Sequence, residues 1–83
     1  SLRWVIRAAD GAPLAGVECR LVPEDPNSIE PPRQGRTDAQ GHWAASGLAP
    51  GICIATATTN GNSISTRFTI TPKGHDEKKS VLN

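Results

Sequence analysis

The stretch ICIATATTNGNSISTRFTI (residues 52–70) decides the fold. It consists of two alternating segments, 52–59 and 62–70, joined by Asn60-Gly61. Asn60-Gly61 is the strongest hairpin signal in the chain, because a type I′ turn needs positive φ at both central residues and these two residue types tolerate it. After the turn, apolar or β-branched side chains occupy every second position: Ile64, Thr66, Phe68 and Ile70. A period of two is typical of a strand with one buried face, so the stretch predicts a β-hairpin.

The same period of two extends through the N-terminal part of the chain, and no segment holds a helical period. Its inward-facing positions are Leu2, Trp4, Ile6, Val17, Cys19, Leu21, Trp43 and Ala45. Turn signals separate the alternating stretches about every ten residues. The pattern predicts an all-β, antiparallel sandwich or small barrel of about six to seven short strands, with no significant helix.

Proline and glycine mark two connections between the predicted strands. Residues 8–16 form a loop around the turn dipeptide Asp10-Gly11. Residues 23–35 contain four of the seven prolines. Because proline cannot donate a hydrogen bond to a sheet, this stretch predicts a long irregular connection rather than a core strand.

Two further segments complete the organisation of the chain. Residues 37–41 have the chemistry of a hairpin loop, since Asp38 can accept backbone N–H groups and Gly41 can take positive φ. Residues 73–83 are polar, charged and aperiodic. We therefore expect one domain over residues 1–72, followed by a loosely ordered C-terminal tail.

Composition limits the classes of partner. Nine Lys and Arg stand against eight Asp and Glu, and the formal net charge of +1 gives no electrostatic reason to bind nucleic acid or an anionic membrane. Leu, Ile, Val and Phe number 16 of 83 residues, which approaches the level of disordered chains, but the low net charge argues against disorder.

No apolar run has transmembrane length and no signal-peptide pattern is present. Because the chain starts at Ser1, we expect part of a larger protein.

Three turn motifs occur in an order and spacing that resemble a known family. They are DGAPLAGV (residues 10–17), TDAQG (37–41) and LAPG (48–51). The set is similar to the "dG-x-PLxGV", "TDxxG" and "LxPG" turns of carboxypeptidase-regulatory-like domains, and it covers roughly residues 2–72. The resemblance implies the transthyretin-like (prealbumin-like, Ig-like) β-sandwich of those domains. It implies less about function, because this fold hosts many roles.

The resemblance also bears on the two cysteines. In the family, an apolar residue lies at the position of Cys19 and commonly a Tyr at the position of Cys53, both facing the core. One hypothesis is therefore a Cys19–Cys53 disulfide, which would close a loop of about 35 residues and contribute roughly 4 kcal/mol in the chain-entropy treatment. The alternative is two reduced thiols, since free Cys is often buried.

Residue types that carry catalysis or bind metals are sparse. His42 and His75 lie 33 residues apart and neither belongs to a ligand motif. Ser46, Ser63 and Ser65 have no nucleophile elbow and no adjacent His–Asp pair. The chain lacks the C-terminal Tyr-Arg-Gly-Ser motif of transthyretin-type hydroxyisourate hydrolases and, having no Tyr, the iron ligands of intradiol dioxygenases. We expect no enzyme activity, no metal and no cofactor.

Outward-facing apolar residues indicate a docking surface. If Cys53 points inward, Ile52 and Ile54 point outward, and Val5 faces outward on its own strand. Such a stripe is typical of contact with a neighbouring domain or partner, so Val5, Ile52 and Ile54 are candidate docking residues. Alternatively, the protein's own loops cover these side chains, or a one-residue shift of register exchanges the two faces.

The Pro-rich connection at 23–35 is the second docking candidate, because prolines lower the entropy lost on binding. It can also be a plain solvent loop, or it can cover the outward isoleucines through Ile29.

The expected function is a non-catalytic protein–protein interaction or adaptor module of a larger bacterial protein. Similar modules extend the spike proteins of type VI secretion systems, where they help to dock or load effectors, and this setting is favoured by the resemblance. The alternative is a structural spacer or a carbohydrate-binding accessory domain of a secreted hydrolase or adhesin. We expect a protein partner, no nucleic acid, no membrane insertion, and secretion or delivery by a bacterial secretion system.

Overall fold

The computed structural model describes residues 1–82, and the regular elements of these residues are seven β-strands and no helix. The strands are β1 (Leu2–Arg7), β2 (Glu18–Pro23), β3 (Arg33–Arg36), β4 (His42–Ala45), β5 (Gly51–Thr59), β6 (Asn62–Ile70) and β7 (Asp76–Val81). The predicted all-β fold of about six to seven short strands is confirmed.

The strands form two sheets, one of three strands in the order β4-β1-β7 and one of four in the order β3-β2-β5-β6. Neighbouring strands are antiparallel except β1 and β7, which run parallel. Buried side chains of both sheets meet in a single core that includes Leu2, Trp4, Ile6, Trp43, Cys19, Leu21, Ala55, Ala57, Phe68 and Ile70. The molecule is a two-sheet β-sandwich.

The indole of Trp4 connects the two sheets. It meets the ring of Phe68 edge to face, with ring centroids 6.1 Å apart and ring planes at 79°. Its Nε1–H donates a 2.9 Å hydrogen bond to Ser80 Oγ, so the one polar atom of the indole is satisfied inside the core. Trp4 and Phe68 are the two largest fully buried side chains, and they supply bulk that the many small core residues do not.

The β5–β6 hairpin has the predicted turn and register. Asn60 and Gly61 have φ values of 47° and 82°, as a type I′ turn requires. Thr59 pairs with Asn62 across the turn. The buried side chains of β5 are those predicted to face inward, Cys53, Ala55 and Ala57.

Thr37 and Gly41 join the connection before β4 to the rest of the fold. The buried Thr37 hydroxyl donates to the carbonyl of Leu14 at 2.6 Å and accepts the N–H of Val17 at 2.9 Å. Gly41 has a φ of 77° and its carbonyl accepts the N–H of Ile6 at 2.8 Å. These contacts explain in physical terms why Thr and Gly stand at the two ends of the TDAQG motif.

Asp38 lies between them and forms the predicted Asx turn. Its Oδ1 accepts the N–H groups of Gln40 and His42, both at 2.9 Å. The hydrogen bond from His42 is the main cause that holds the pKa of the Asp38 carboxyl below its ordinary value, and the bond from Gln40 adds to it.

Asp38→Asn is therefore expected to flatten the acid dependence of stability. A carboxyl with a lowered folded-state pKa stabilises the fold above its unfolded-state pKa, and the contribution is lost as the pH falls through the folded-state value. Urea unfolding at pH 6, 4 and 3 should show wild type losing more of its free energy of unfolding below about pH 4 than Asp38→Asn loses. Equal losses in the two proteins would contradict this role.

The prediction of a loosely ordered tail over residues 73–83 is wrong for Asp76–Val81, which form β7. This strand pairs with β1 at six positions, and Leu82 directly after it is buried in the core. Main-chain pairing, this apolar anchor and the hydrogen bond from Trp4 to Ser80 hold the strand. Its inward-facing side chains are those of Asp76, Lys78 and Ser80, and all three are polar. The sequence of β7 therefore shows no alternation of apolar residues.

The prediction of an irregular connection over residues 23–35 is wrong at its C-terminal end, where β3 begins at Arg33. Pro32 is the last proline of the stretch, so every N–H group from Arg33 onward is free to pair with β2. Gly35 in β3 leaves room for the indole of Trp43, because a Cβ at this position would collide with the ring nitrogen.

Candidate functional site: an apolar groove at one end of the sandwich

A groove of about 820 Å³ lies at one end of the four-stranded sheet. It lies where β2 ends and β5 begins, between two connections, residues 24–32 and residues 46–50. Apolar side chains dominate its wall, among them Leu21, Val22, Leu48, Ile52 and Cys53. We call this feature the end groove.

Residues 24–32 form one wall of the end groove and are held by short-range hydrogen bonds. Asp25 Oδ1 accepts the N–H of Asn27 at 2.9 Å, and its carbonyl accepts the N–H of Ser28 at 3.1 Å. Ser28 Oγ then accepts the N–H of Glu30 at 3.2 Å. Prolines 26, 31 and 32 restrict the backbone further, so this wall loses less conformational entropy on binding than an unconstrained loop would.

Two contacts fix the opposite wall and the floor. The Arg33 guanidinium donates to the carbonyls of Ser46 and Gly47 at 3.0 and 3.1 Å, and it thereby ties residues 46–50 to β3. The N–H of Glu24 donates to the carbonyl of Ile52 at 2.9 Å, which extends the β2–β5 pairing into the groove. The groove is therefore built on hydrogen-bonded backbone on both sides.

The charged residues of the end groove are mostly acidic. Glu24 forms an ion pair with Arg67, its Oε2 lying 2.8 Å from Nε, whereas Asp25 and Glu30 form no ion pair with any residue of the range 1–82. Glu30 is close enough to Cys53 for its negative charge to add to burial in raising the pKa of the thiol. The wall thus carries two uncompensated carboxylates beside apolar side chains.

The predicted docking residues do not form one stripe. Ile52 is 44% exposed and lines the end groove. Ile54 faces the same side of the sheet but is half-buried between its cross-strand neighbours Val22 and Arg67. Val5 lies in the other sheet, on the opposite side of the sandwich.

The prediction that Val5 is exposed is wrong, since this side chain is only 3% exposed. Val5 faces outward as the alternation requires, but β1 is the central strand of its sheet. The register places His42 and Lys79 beside it on the same face, and Arg3 and Arg7 lie two residues away on either side. The stems of such long side chains cover a small apolar residue between them.

Ile29 lies in the Pro-rich connection, and the sequence alone does not decide whether it covers the outward isoleucines of β5 or points into solvent. It is 97% exposed on the loop wall of the end groove, so it does not cover the outward isoleucines. The two docking candidates of the sequence, the outward face of β5 and the Pro-rich connection, therefore meet at one surface. What brings them together is the hydrogen bond from Glu24 to Ile52, which joins segments far apart in the chain.

The two cysteines both face the core, as the resemblance implies, but the structure contradicts a disulfide between them. Cys19 pairs with Ala57 and Cys53 with Pro23, so the two cysteines lie four positions apart along the paired strands β2 and β5. Four residues of strand span about 13 Å, about twice the Cα separation that a disulfide allows. Both are free thiols, and Cys19 donates to the carbonyl of Val17 at 3.6 Å.

Both thiols are expected to be present and unreactive in the folded protein. Burial raises the pKa of Cys19 to about 11, which lowers its thiolate fraction at pH 8 about a hundredfold. Without reductant, a disulfide-exchange reagent should modify two cysteines at once in urea and only slowly in buffer. Cys53, at the edge of the groove, should react before Cys19. A count of zero thiols in urea would contradict the free state.

A second exposed surface is the outer edge of β6. The closing pair Thr59–Asn62 sets the alternation of the ladder, so the main-chain N–H and C=O groups of Ser63, Ser65 and Arg67 point away from β5. Farther along, the N–H of Thr69 donates to Asp76 Oδ2 at 3.2 Å. Free edges of this length can pair with another strand, but this one carries polar outer side chains and no cavity of the size of the end groove.

Other kinds of site have little support in residues 1–82. No three His, Cys, Asp or Glu side chains of this range are placed to hold a metal ion. No helix in the same residues has the length and apolar character to cross a membrane. Trp4 and Trp43 are buried, at 0% and 8% exposure, so neither indole offers a flat surface for stacking a sugar.

No protein-family model matches the chain, and a comparison with curated proteins found no match.

Proposed function

We propose that this chain is a non-catalytic protein-interaction module that docks a partner at the end groove. The observation that carries the proposal is the placement of Ile29 and Ile52. Both are large apolar side chains exposed to solvent, at 97% and 44%, and both line one concave surface. Exposed apolar area of this kind on a small domain is typical of an interaction site.

The proposal includes a transthyretin-like, carboxypeptidase-regulatory-like identity for the sandwich. It is supported by the way the three motifs work as turns. Asp10 Oδ1 accepts the N–H of Ala12 at 3.0 Å, and Asp38 caps its own turn. In the third motif, Gly51 has a φ of 140° and begins β5, so each motif has a structural reason for its residues.

By the same resemblance, the proposed setting is an extension on a type VI secretion spike that helps to dock or load an effector. The protein would then be bacterial and delivered by that apparatus. A spacer in a secreted hydrolase or adhesin is less favoured, because a spacer has no need of exposed isoleucines in a groove. A carbohydrate-binding role is less favoured because both tryptophans are buried.

Paired serine substitutions test the proposal. The wild-type domain, immobilised, should retain a specific protein from a lysate of its source, and Ile29→Ser/Ile52→Ser should lose at least nine-tenths of that retention. Val81→Ser is the matched control, because Val81 is 56% exposed on β7, away from the end groove. It should retain the partner as wild type does.

The double variant is expected to remain folded, because surface substitutions change the free energy of unfolding by about 0.5 kcal/mol or less. Its thermal midpoint should lie close to that of wild type. The proposal fails if the folded double variant retains the partner as well as wild type does, or if Val81→Ser abolishes retention equally.

A further inference from the structure

We propose that the segment of the partner that enters the end groove combines apolar side chains with an adjacent Lys or Arg. This inference rests on the proposed function and specifies the chemistry of the partner. Two features of the groove carry it, its apolar wall and the sign of its uncompensated charge.

The apolar wall selects apolar side chains. Leu21, Val22, Leu48 and Ile52 contribute from three different parts of the chain, and the loop wall adds Ile29. A volume of about 820 Å³ is within the range of sites that enclose drug-sized ligands. A short stretch of polypeptide with a few apolar side chains fits this space, and burial of those side chains supplies the driving force.

The charge of the groove selects a cation. Three carboxylates line it, from Glu24, Asp25 and Glu30, against the single guanidinium of Arg33. Glu24 is paired with Arg67 outside the groove. The guanidinium of Arg33 donates to two main-chain carbonyls and offsets only one of the two remaining carboxylates, so the lining keeps a net negative charge. Asp25 and Glu30 remain without an ion-pair partner within residues 1–82.

This acidity is local rather than a property of the whole molecule, because the chain has a net charge of +1. A partner that binds at this end gains electrostatic complementarity from Lys or Arg. An acidic segment would place like charges against Asp25 and Glu30, which repel it. The groove thus discriminates between basic and acidic apolar segments.

Selection from random heptapeptides displayed on phage tests the inference with the full chain as bait. The peptides retained should contain at least two large apolar residues and one Lys or Arg. A synthetic copy of a retained peptide should shift backbone amide signals of residues 21–33 and 46–53 in NMR spectra. The same peptide with glutamine in place of its basic residue should bind about two- to fivefold more weakly, as expected for exposed charge pairs.

Charge-neutralising variants supply the matched comparison. Asp25→Asn/Glu30→Gln should weaken binding of the synthetic peptide about two- to fivefold and remove most of its dependence on salt. The Asn side chain can still accept the N–H of Asn27, so the loop should keep its shape. Glu18→Gln/Glu77→Gln changes the net charge equally at residues outside the groove, and it should bind as wild type does.

The possible results separate this inference from the proposed function. If retained peptides bind in the groove but show no preference for Lys or Arg, or if Asp25→Asn/Glu30→Gln binds them unchanged, the cationic partner is wrong while the groove stands. If no peptide is retained, or if the amide shifts fall on the β6 edge at Ser63, Ser65 and Arg67, the cationic partner and the groove are both wrong.

Discussion

Replacing Gly41 by alanine should cost about 3 kcal/mol or more of the free energy of unfolding. Gly41 has a φ of 77°, and an L-residue held in that region costs about 1–2 kcal/mol. In addition, a Cβ at this position would collide with the carbonyl oxygen of Ile6. That oxygen accepts the N–H of Leu14 at 3.1 Å, while Ile6 N–H donates to Gly41 itself. Displacing the hairpin weakens both bonds, each worth about 1 kcal/mol.

Gly47→Ala provides the control for the backbone contribution alone. Gly47 has a φ of 67°, and a Cβ there meets nothing within 4 Å. This variant should lose only the cost of the strained conformation, about 1–2 kcal/mol. Urea unfolding monitored by tryptophan fluorescence measures both variants. Equal losses for Gly41→Ala and Gly47→Ala would show that the contact with β1 adds nothing.

Replacing Trp4 by alanine should destabilise the domain by about 3–5 kcal/mol, as for other buried large aromatic residues. The side chain is fully buried, it packs edge to face on Phe68 from the opposite sheet, and its loss leaves a cavity between the sheets. Total stabilities of small domains lie at about 5–15 kcal/mol. The thermal midpoint of the variant should therefore fall well below that of wild type.

Trp4→Phe separates packing from hydrogen bonding at the same position. A phenyl ring keeps most of the contact with Phe68 but cannot donate to Ser80 Oγ. The expected loss is about 1–3 kcal/mol, from the smaller ring and the hydroxyl left without its donor. Circular dichroism is the appropriate measurement for wild type and both variants, because replacing Trp4 leaves only the emission of Trp43 and so changes the fluorescence signal itself. A loss below about 1 kcal/mol for Trp4→Ala would contradict a core organised around this indole.

Local patterns predicted the strands that have one apolar face. The alternation in β1, β2 and β6 and the Asn60-Gly61 turn follow from nearest-neighbour chemistry, and the structure reproduces them. β7 lacks such a pattern, because its inward positions are polar and its stability comes from pairing with β1 some seventy residues away. The sequence did not predict β3, because the prolines before it indicated an irregular connection, although no proline lies within the strand.

The site was predicted in parts and its assembly was not. The outward position of Ile52 follows from the period of two, and the Pro-rich connection stands out by composition. That these two features share one groove depends on the register of β2 and β5, which places Val22 opposite Ile54 and Pro23 opposite Cys53. The same register separates Cys19 from Cys53. No periodicity within a single strand contains this information.

Docking of a partner protein at the end groove can be tested in cells of the source by site-specific photo-crosslinking. A benzophenone amino acid would be placed singly at positions 29, 52 and 81, the three exposed positions that carry large apolar residues among residues 1–82. Positions 29 and 52 should each crosslink to the same partner protein, and position 81 should give no crosslink. A crosslink from position 81 alone, or no crosslink from either groove position, would contradict docking at the end groove.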